Sequence, residues 1–235
     1  MTTRMPGPDP GSTAPAAFGA LPPGPDRVTD YVFDLIRTAI IDKSLPPGSA
    51  VVESDLATRL NVSKTPVRES MIRLKELGLL ETVGRRLRVV TPSPQRIREA
   101  YEFRVCLEPQ CAQLAAERAS PEQAADLLSG AERGVVVADT RGTLGFYDAG
   151  YEFHRRVAAA SGNSLLGGAV RRSHLYTLTL TRRDTHGPID QPGHADDHLA
   201  IAQAIGEGDG GRAFDLMERH LQSLLVSALE RIGDE

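Results

Sequence analysis

Apolar residues recur every three or four positions along most of the chain, which predicts a mainly α-helical protein. The first such pattern starts at about Asp26, a residue type that caps helices, and places the apolar residues between 28 and 40 on one face. This helix ends at Leu45-Pro46-Pro47-Gly48, because prolines cannot continue a helix and glycine permits a tight turn. A one-sided apolar pattern indicates a helix that packs against a core.

Two further helices are predicted close together, at 53–60 and 64–77, with a three-residue turn between them. Ser63, the last residue of that turn, can cap the second helix. Beyond Gly78, residues 79–83 and 86–90 are predicted to form two short strands joined at Gly84-Arg85. A helix, a short turn and a second helix form a unit that reads DNA, and a hairpin beside it forms a wing.

The positive charge of the chain is concentrated in this first half. The whole chain has a net charge of −4, but residues 27–98 contain 13 basic and 8 acidic residues, whereas 99–235 contain 13 and 21. A basic helix alone is usually a solvated face, but here the charge coincides with helix-turn-helix spacing and a wing. Because phosphate binding requires Lys and Arg, the combination predicts a double-stranded DNA partner. The predicted contact residues are Ser54, Lys64, Thr65, Arg68, Gly84, Arg85 and Arg86.

The second half is predicted to be an antiparallel bundle of about six helices, because short breaks separate its helical patterns. The expected spans are 95–118, 121–138, 143–160, 163–183, 194–206 and 211–232. Residues 1–25 hold seven prolines and four glycines and should be a disordered arm. The predicted domains are therefore this arm, a winged helix-turn-helix at 26–92 and an all-helical domain at 93–235.

The apolar stretches are too short and too interrupted to predict a membrane span or a secretory signal. We therefore expect a cytoplasmic protein without a membrane partner.

The first half resembles the winged helix of the GntR superfamily of bacterial transcriptional regulators. The resemblance is carried by Leu45 to Ser49, Glu53-x-x-Leu56-Ala57, Asn61 to Ser70, and Leu74-x-x-x-Gly78-Leu79. It implies a dimer that reads a near-palindromic operator. Lys64 stands where the family more often has arginine, so a bidentate contact to guanine would be lost there.

The second half resembles the effector domain of the FadR-type branch, the FCD domain. The residues that carry this are Arg104-x-x-Leu107-Glu108-Pro109, Phe153-His154, Ser161-Gly162-Asn163, His198-x-x-Ile201 and Met217-x-x-His220-Leu221. The resemblance implies dimerisation through this domain and a divalent metal, expected to be zinc, held by His154, His198 and His220. It also implies a small organic-acid effector beside the metal, with Arg104, Tyr151 and Asn163 as the expected contacts.

One position departs from that pattern. The family's aspartate ligand lies four residues before the first histidine, where this chain has Gly150. His194, one helical turn before His198, is a candidate replacement, and water or the effector's carboxylate could equally complete the shell. A metal-free pocket in which the histidines bind an organic acid is the alternative. Arg104 could instead pair with Glu108, and His174 and His186 are interpreted as ordinary helical histidines.

Two functions are compatible with these features. The first is an effector-responsive transcriptional regulator, which is not an enzyme and which we interpret as a repressor. The second is a three-histidine metal hydrolase with a vestigial DNA-binding head, since zinc with an open position can activate water. No Glu or Asp forms an obvious general-base motif with His154 or His198, which favours the regulator.

Overall fold

The computed structural model describes residues 25–140, 143–181 and 191–233. Apart from Pro25, the predicted arm at 1–25 lies outside these residues, and so does His186. The described segments form nine α-helices and one two-stranded antiparallel sheet, so the protein is mainly α-helical as predicted. None of these helices has the length and apolar character that crossing a membrane would require.

The first three helices and the hairpin form a compact unit, which we call the head. Its elements are α1 (Pro25–Ile41), α2 (Glu53–Leu60), α3 (Lys64–Glu76), β1 (Leu80–Val83) and β2 (Arg86–Val89). In the hairpin Leu80 pairs with Val89 and Val83 with Arg86, which leaves Gly84 and Arg85 as the turn. The order and spacing are those predicted from the sequence.

Backbone conformation sets the turns of the head. Asn61 ends α2 in the left-handed region at φ 50°, and its N–H bonds the carbonyls of Ala57 and Thr58. Gly78 follows α3 at φ 79°, a conformation that glycine adopts without a Cβ penalty. Two predicted caps are corrected: Ser63 precedes α3 but its side chain makes no capping bond, and Asp26 lies inside α1, which begins at Pro25.

The head core is formed mainly by α1 packed on α3. Ile36, Ile40, Val67, Leu74 and Leu79 are almost completely buried there. The α1 and α3 residues of this set lie on the inner faces that the three-to-four-residue pattern predicted, because side chains at this spacing share one side of a helix, whereas Leu79 follows α3.

Six helices form the second half, which we call the bundle. They are α4 (Pro94–Arg118), α5 (Pro121–Thr140), α6 (Thr143–Ala160), α7 (Ser164–Thr181), α8 (Gln191–Gly206) and α9 (Gly210–Gly233). Helix α4 packs against α6, α7, α8 and α9, and α5 covers α6 and α8. The Ser93 side chain caps α4 by accepting a hydrogen bond from the Arg96 N–H at 3.2 Å. Among the described residues, the largest differences from the predicted spans are three residues, at the start of α8, and two residues, at the end of α5. Residues 182 and 183 of the predicted span 163–183 lie outside the described residues.

Helix α7 belongs to both halves. Leu175 is buried in the head core, and the Tyr176 ring lies so close to Gly78 that an added Cβ would be 3.0 Å from it. Lys43, two residues after the end of α1, donates from Nζ to the Thr179 carbonyl at 2.5 Å. The position of α7 is therefore tied to that of the head.

Candidate functional site

The residues predicted to bind DNA all lie on the surface of the head. Ser54 is exposed in the first turn of α2, and Lys64, Thr65 and Arg68 are exposed in the first two turns of α3. The wing residues Gly84, Arg85 and Arg86 are exposed at the hairpin tip. Pro66 and Val67, between these positions on α3, are buried in the head. Helix α3 thus exposes its polar N-terminal face while its apolar face packs on α1.

Among the residues predicted to bind DNA, Arg68 is distinguished by a two-point pair with a carboxylate. Its Nε and Nη2 lie 2.8 and 2.9 Å from the two carboxylate oxygens of Glu53 in α2. Ser54, the neighbour of Glu53, donates to Asp55 in a weaker contact of 3.2 Å.

Three histidines converge inside the bundle. His154 of α6, His198 of α8 and His220 of α9 are all buried, and their Nε2 atoms are 3.1 to 3.3 Å apart. Zinc–nitrogen bonds of about 2.0–2.1 Å at tetrahedral angles separate two ligand nitrogens by about 3.3–3.4 Å. The three nitrogens are therefore spaced as ligands of one metal ion.

Carboxylates lie behind two of these rings. Glu108 Oε2 is 2.6 Å from His154 Nδ1, a short contact whose angle is not that of a good hydrogen bond. Asp197 Oδ2 is 3.0 Å from His220 Nδ1. A carboxylate at Nδ1 favours a proton there and leaves the Nε2 lone pair for a metal. The donor set fits a divalent cation.

Burial keeps the three imidazoles neutral. It lowers the pKa of His154 against the opposing effect of Glu108, and burial together with the neighbouring histidines lowers the pKa of His198 and His220 well below the usual value. Neutral imidazole is the form that binds metals, because protonation removes the lone pair.

The position four residues before His154 carries no ligand, as the sequence indicated. Gly150 lines the cavity, and a Cβ there would face His198 Cε1 at 3.7 Å. Among the described residues, no fourth His, Cys, Asp or Glu joins the three-histidine group. His194 instead groups with Asp197 and His220, so it shares only one member with that set.

Arg104 is held inside the protein rather than directed freely into the cavity. Its Nε lies 2.6 Å from Glu108 Oε1 and its Nη2 lies 3.0 Å from His174 Nε2, with all three residues buried. The Arg104–Glu108 pair, the alternative to an effector contact, is therefore present. Burial alone would raise the pKa of Glu108. Arg104, His174 and His154 outweigh burial and hold this pKa well below the usual value.

Two participants were not predicted. His174, interpreted as an ordinary helical histidine, is buried in the cavity wall, where burial and the Arg104 charge lower its pKa to about 3. Glu108 was considered only as a partner of Arg104, yet it also contacts His154 and His174. The signal for His174 was its spacing: Thr177, Leu178 and Thr181, on the same side of α7, also line the cavity.

The other two expected effector contacts are placed differently. Tyr151 lines the cavity, with its ring centroid 5.7 Å from that of His174. Asn163 is not among the lining residues: its Oδ1 accepts the N–H groups of Leu165 and Leu166 and so caps α7. The cavity itself has a volume of about 70 Å³, which favours a small ligand.

Comparison with known proteins identifies both halves. Residues 29–89 match the gntR family of bacterial regulatory proteins, and residues 99–223 match the FCD domain. The chain belongs to the GntR family and carries an FCD domain.

Relatives of this GntR-family chain are named as regulators. It is 31% identical to a probable D-xylose utilization operon transcriptional repressor of Paenarthrobacter nicotinovorans, a match that covers 88% of this chain and 91% of the relative. It is 33% identical to an HTH-type transcriptional regulator of Mycobacterium tuberculosis, covering 91% and 94%. The family is one of transcriptional regulators rather than enzymes, so the hydrolase hypothesis is set aside.

Solved structures share the fold. The E. coli McbR/YncC protein superposes with a TM-score of 0.75 at 18% identity over 87% of this chain and 98% of that protein. A GntR regulator from Rhodococcus gives 0.65 at 24% identity, over 86% and 97%. The winged head followed by a helical bundle is therefore the architecture of this GntR-family chain.

Proposed function

We propose that the protein is a repressor that binds a near-palindromic operator as a homodimer and responds to a small carboxylate effector in the histidine cavity. The observation that carries this proposal is the convergence of three Nε2 atoms in a bundle cavity whose wall, α7, also contacts the DNA-binding head. The repressor function is supported by the names of relatives from Paenarthrobacter nicotinovorans and E. coli.

On the DNA side, Ser54, Lys64, Thr65, Arg68, Gly84, Arg85 and Arg86 form the proposed contact surface. The first residues of a recognition helix enter the major groove, and a dimer places two such helices on two half-sites. Lys64→Ala should weaken operator binding by about 1–3 kcal/mol. Lys75→Ala is the matched control, since Lys75 is an exposed lysine in the last turn of the same helix. Equal losses of operator affinity in Lys64→Ala and Lys75→Ala, measured by mobility-shift titration, would contradict the proposed orientation of α3.

The dimer is a separate part of the proposal and has its own measurement. Light scattering coupled to gel filtration should give about twice the chain mass of 25.3 kDa. A monomer at the concentration that saturates the operator would contradict the dimeric arrangement.

The proposed metal ligands are His154, His198 and His220, and zinc is the cation that fits three imidazoles with an open position. Zinc there would supply a Lewis acid for an effector oxygen. His198→Ala should abolish stoichiometric zinc binding in a chelator-competition titration, whereas His194→Ala should reduce affinity less because His194 lies outside the three-histidine group. A loss of zinc affinity in His194→Ala as large as that in His198→Ala would instead make His194 the fourth ligand. Absence of zinc from the wild-type protein, with no uptake, would leave a metal-free pocket.

The effector is proposed to be a small carboxylate that contacts Tyr151 beside the histidines. Arg104 lines the cavity, but its guanidinium is already bonded to Glu108 and His174, so we assign it to the cavity wall rather than to the ligand. Asn163 is left out because it caps α7. A thermal-shift screen of mono-, di- and tricarboxylates with and without zinc tests this, because a ligand of the native state raises its stability. No shift with any acid would contradict it.

Helix α7 provides the proposed connection between effector and operator. His174, Thr177, Leu178 and Thr181 line the cavity, whereas other α7 residues contact the head. An effector changes DNA affinity only if it binds two arrangements unequally, with coupling typically about 1–3 kcal/mol. Tyr176→Ala should retain effector binding but reduce the effector-dependent change in DNA affinity. Arg171→Ala, at an exposed position of α7, is the control. Unchanged coupling in Tyr176→Ala would exclude this route.

A further inference from the structure

Arg68 is the more exposed member of its charge pair with Glu53, and the geometry of the pair leaves Arg68 able to bind a second acceptor. Its side chain is 66% exposed, whereas that of Glu53 is 24% exposed. The pair uses Nε–H and one N–H of Nη2. A guanidinium has five N–H groups, so three remain, including both on Nη1. Two of these can reach the O6 and N7 acceptors of a guanine while Glu53 stays bound.

Glu53 is itself held in place. It is the first residue of α2, where the helix N-terminus favours negative charge. The hydrogen bond from Arg68 lowers the pKa of Glu53, and the charge of Lys64 adds to the effect. The carboxylate thus lies among the basic residues of the proposed DNA surface and is charged at neutral pH.

We propose that Glu53 is a specificity-determining positioning residue, which fixes Arg68 for reading a base edge and cancels its charge toward phosphates. This inference rests on the proposed contact of Arg68 with the operator. Holding the guanidinium in one orientation removes the rotamer freedom that a free Arg would lose on binding. Charge cancellation matters because any unpaired Arg near DNA strengthens binding to every sequence.

Removing the carboxylate should therefore have opposite effects on two kinds of DNA. In Glu53→Gln, Arg68 keeps its charge but loses its fixed orientation and its counter-charge. Binding to unrelated DNA should become tighter and more dependent on salt, with the slope of log K against log[salt] steeper by up to about 0.9. The ratio of specific to non-specific affinity should fall about three- to thirtyfold.

The matched control is Glu69→Gln. Glu69 follows Arg68 directly on α3, is exposed, and accepts a hydrogen bond from Thr29 at 2.9 Å rather than from an arginine. This substitution removes the same charge next to the same arginine. It should leave the specificity ratio within about twofold of wild type, since no base-reading group changes its orientation.

The experiment uses the full-length protein and fluorescence anisotropy at several salt concentrations. The probes are the tightest duplex that the wild-type protein selects from a randomised pool and a scrambled duplex of equal length. A lower specificity ratio in Glu53→Gln but not in Glu69→Gln supports the inference. An unchanged ratio in Glu53→Gln, or equal losses in both variants, overturns it. Thermal melting should be nearly unchanged, because exposed pairs contribute little to stability.

Arg68→Ala separates this inference from the proposed function. If Arg68→Ala leaves operator affinity unchanged, Arg68 does not read DNA and both ideas fail at this residue. If Arg68→Ala weakens specific binding but Glu53→Gln does not, only the positioning role is overturned. In the Arg68→Ala background, Glu53→Gln should no longer lower the specificity ratio, and a further loss there would also overturn the inference.

Discussion

Replacing Glu108 by Gln tests how strongly the buried network holds the bundle together. The side chains of Glu108 and Arg104 are only 2% and 4% exposed, and they lie 2.6 Å apart. The amide preserves shape but leaves the Arg104 charge buried without a counter-charge. Breaking a buried pair in this way costs about 3–5 kcal/mol. For a protein of this size, each kcal/mol of lost unfolding free energy lowers the melting temperature by roughly 2–4 °C. The melting temperature of Glu108→Gln should therefore fall by about 6–20 °C.

The matched control is Glu152→Gln in the same half of the protein. Glu152 also pairs with arginines, and the hydrogen bond from Arg155 is the main reason that its pKa falls to about 2. Its side chain is 36% exposed and that of Arg155 48%, so solvent screens the pair. Exposed pairs contribute about 0–1 kcal/mol each, so the loss of both arginine pairs should lower the melting temperature by at most about 8 °C.

The assay is differential scanning calorimetry at neutral pH in the presence of a chelator, so that metal binding does not contribute. Equal shifts for Glu108→Gln and Glu152→Gln would refute the claim that the Arg104 charge is isolated from water. The double variant Arg104→Met/Glu108→Gln should recover most of the loss, because it removes the stranded charge.

The pH dependence gives an independent check of the same network. The pKa of Glu108 is lowered in the folded state, so its stabilising contribution is complete above its ordinary pKa and is lost only as pH falls toward the lowered value. Wild type should therefore lose its advantage over Glu108→Gln only at acidic pH. A stability difference between wild type and Glu108→Gln that stays constant from pH 7 down to acid unfolding would contradict the lowered pKa of Glu108.

Two further predictions concern the backbone. Gly84→Ala should cost about 1–2 kcal/mol, because its backbone is left-handed. Gly78→Ala should destabilise the protein more, because of these two positions only Gly78 would place the new Cβ against a side chain, that of Tyr176. Equal losses of stability in urea denaturation would contradict this. Ser93→Ala should cost about 1 kcal/mol, since the side chain accepts a capping bond, whereas Ser63→Ala should cost nearly nothing because that cap makes none. The same urea titrations measure both, and a substantial loss at Ser63 would reverse the conclusion.

The fold was predictable because its breaks are chemically explicit. Two prolines and a glycine end the first helical segment, Gly78 follows α3, and Ser93 with Pro94 begins α4. Cap positions were less predictable. Ser63 is of the right residue type, but whether its hydroxyl reaches a backbone N–H depends on geometry that residue type alone does not determine.

The site was predictable where the family resemblance pointed to it, and not where burial in the folded bundle decides the role of a residue. His154, His198 and His220 lie on three different helices and converge as the family resemblance implied. His174 and the histidine contacts of Glu108 were missed because an isolated carboxylate or imidazole is ordinarily exposed. Only the folded bundle shows that Arg104 bonds both side chains inside the protein. Asn163 was assigned to the effector although an Asn directly before a helix caps it more simply.

The contact of Leu175 and Tyr176 with the head limits how this protein can be recombined with others. A head grafted onto a different bundle would need an apolar side chain to complete its core where Leu175 lies. It would also need a flat ring, or empty space, against the bare backbone of Gly78. Chimeric sensors made by cutting between the two halves should therefore carry α7 with the head it fits, or be repaired at these two positions.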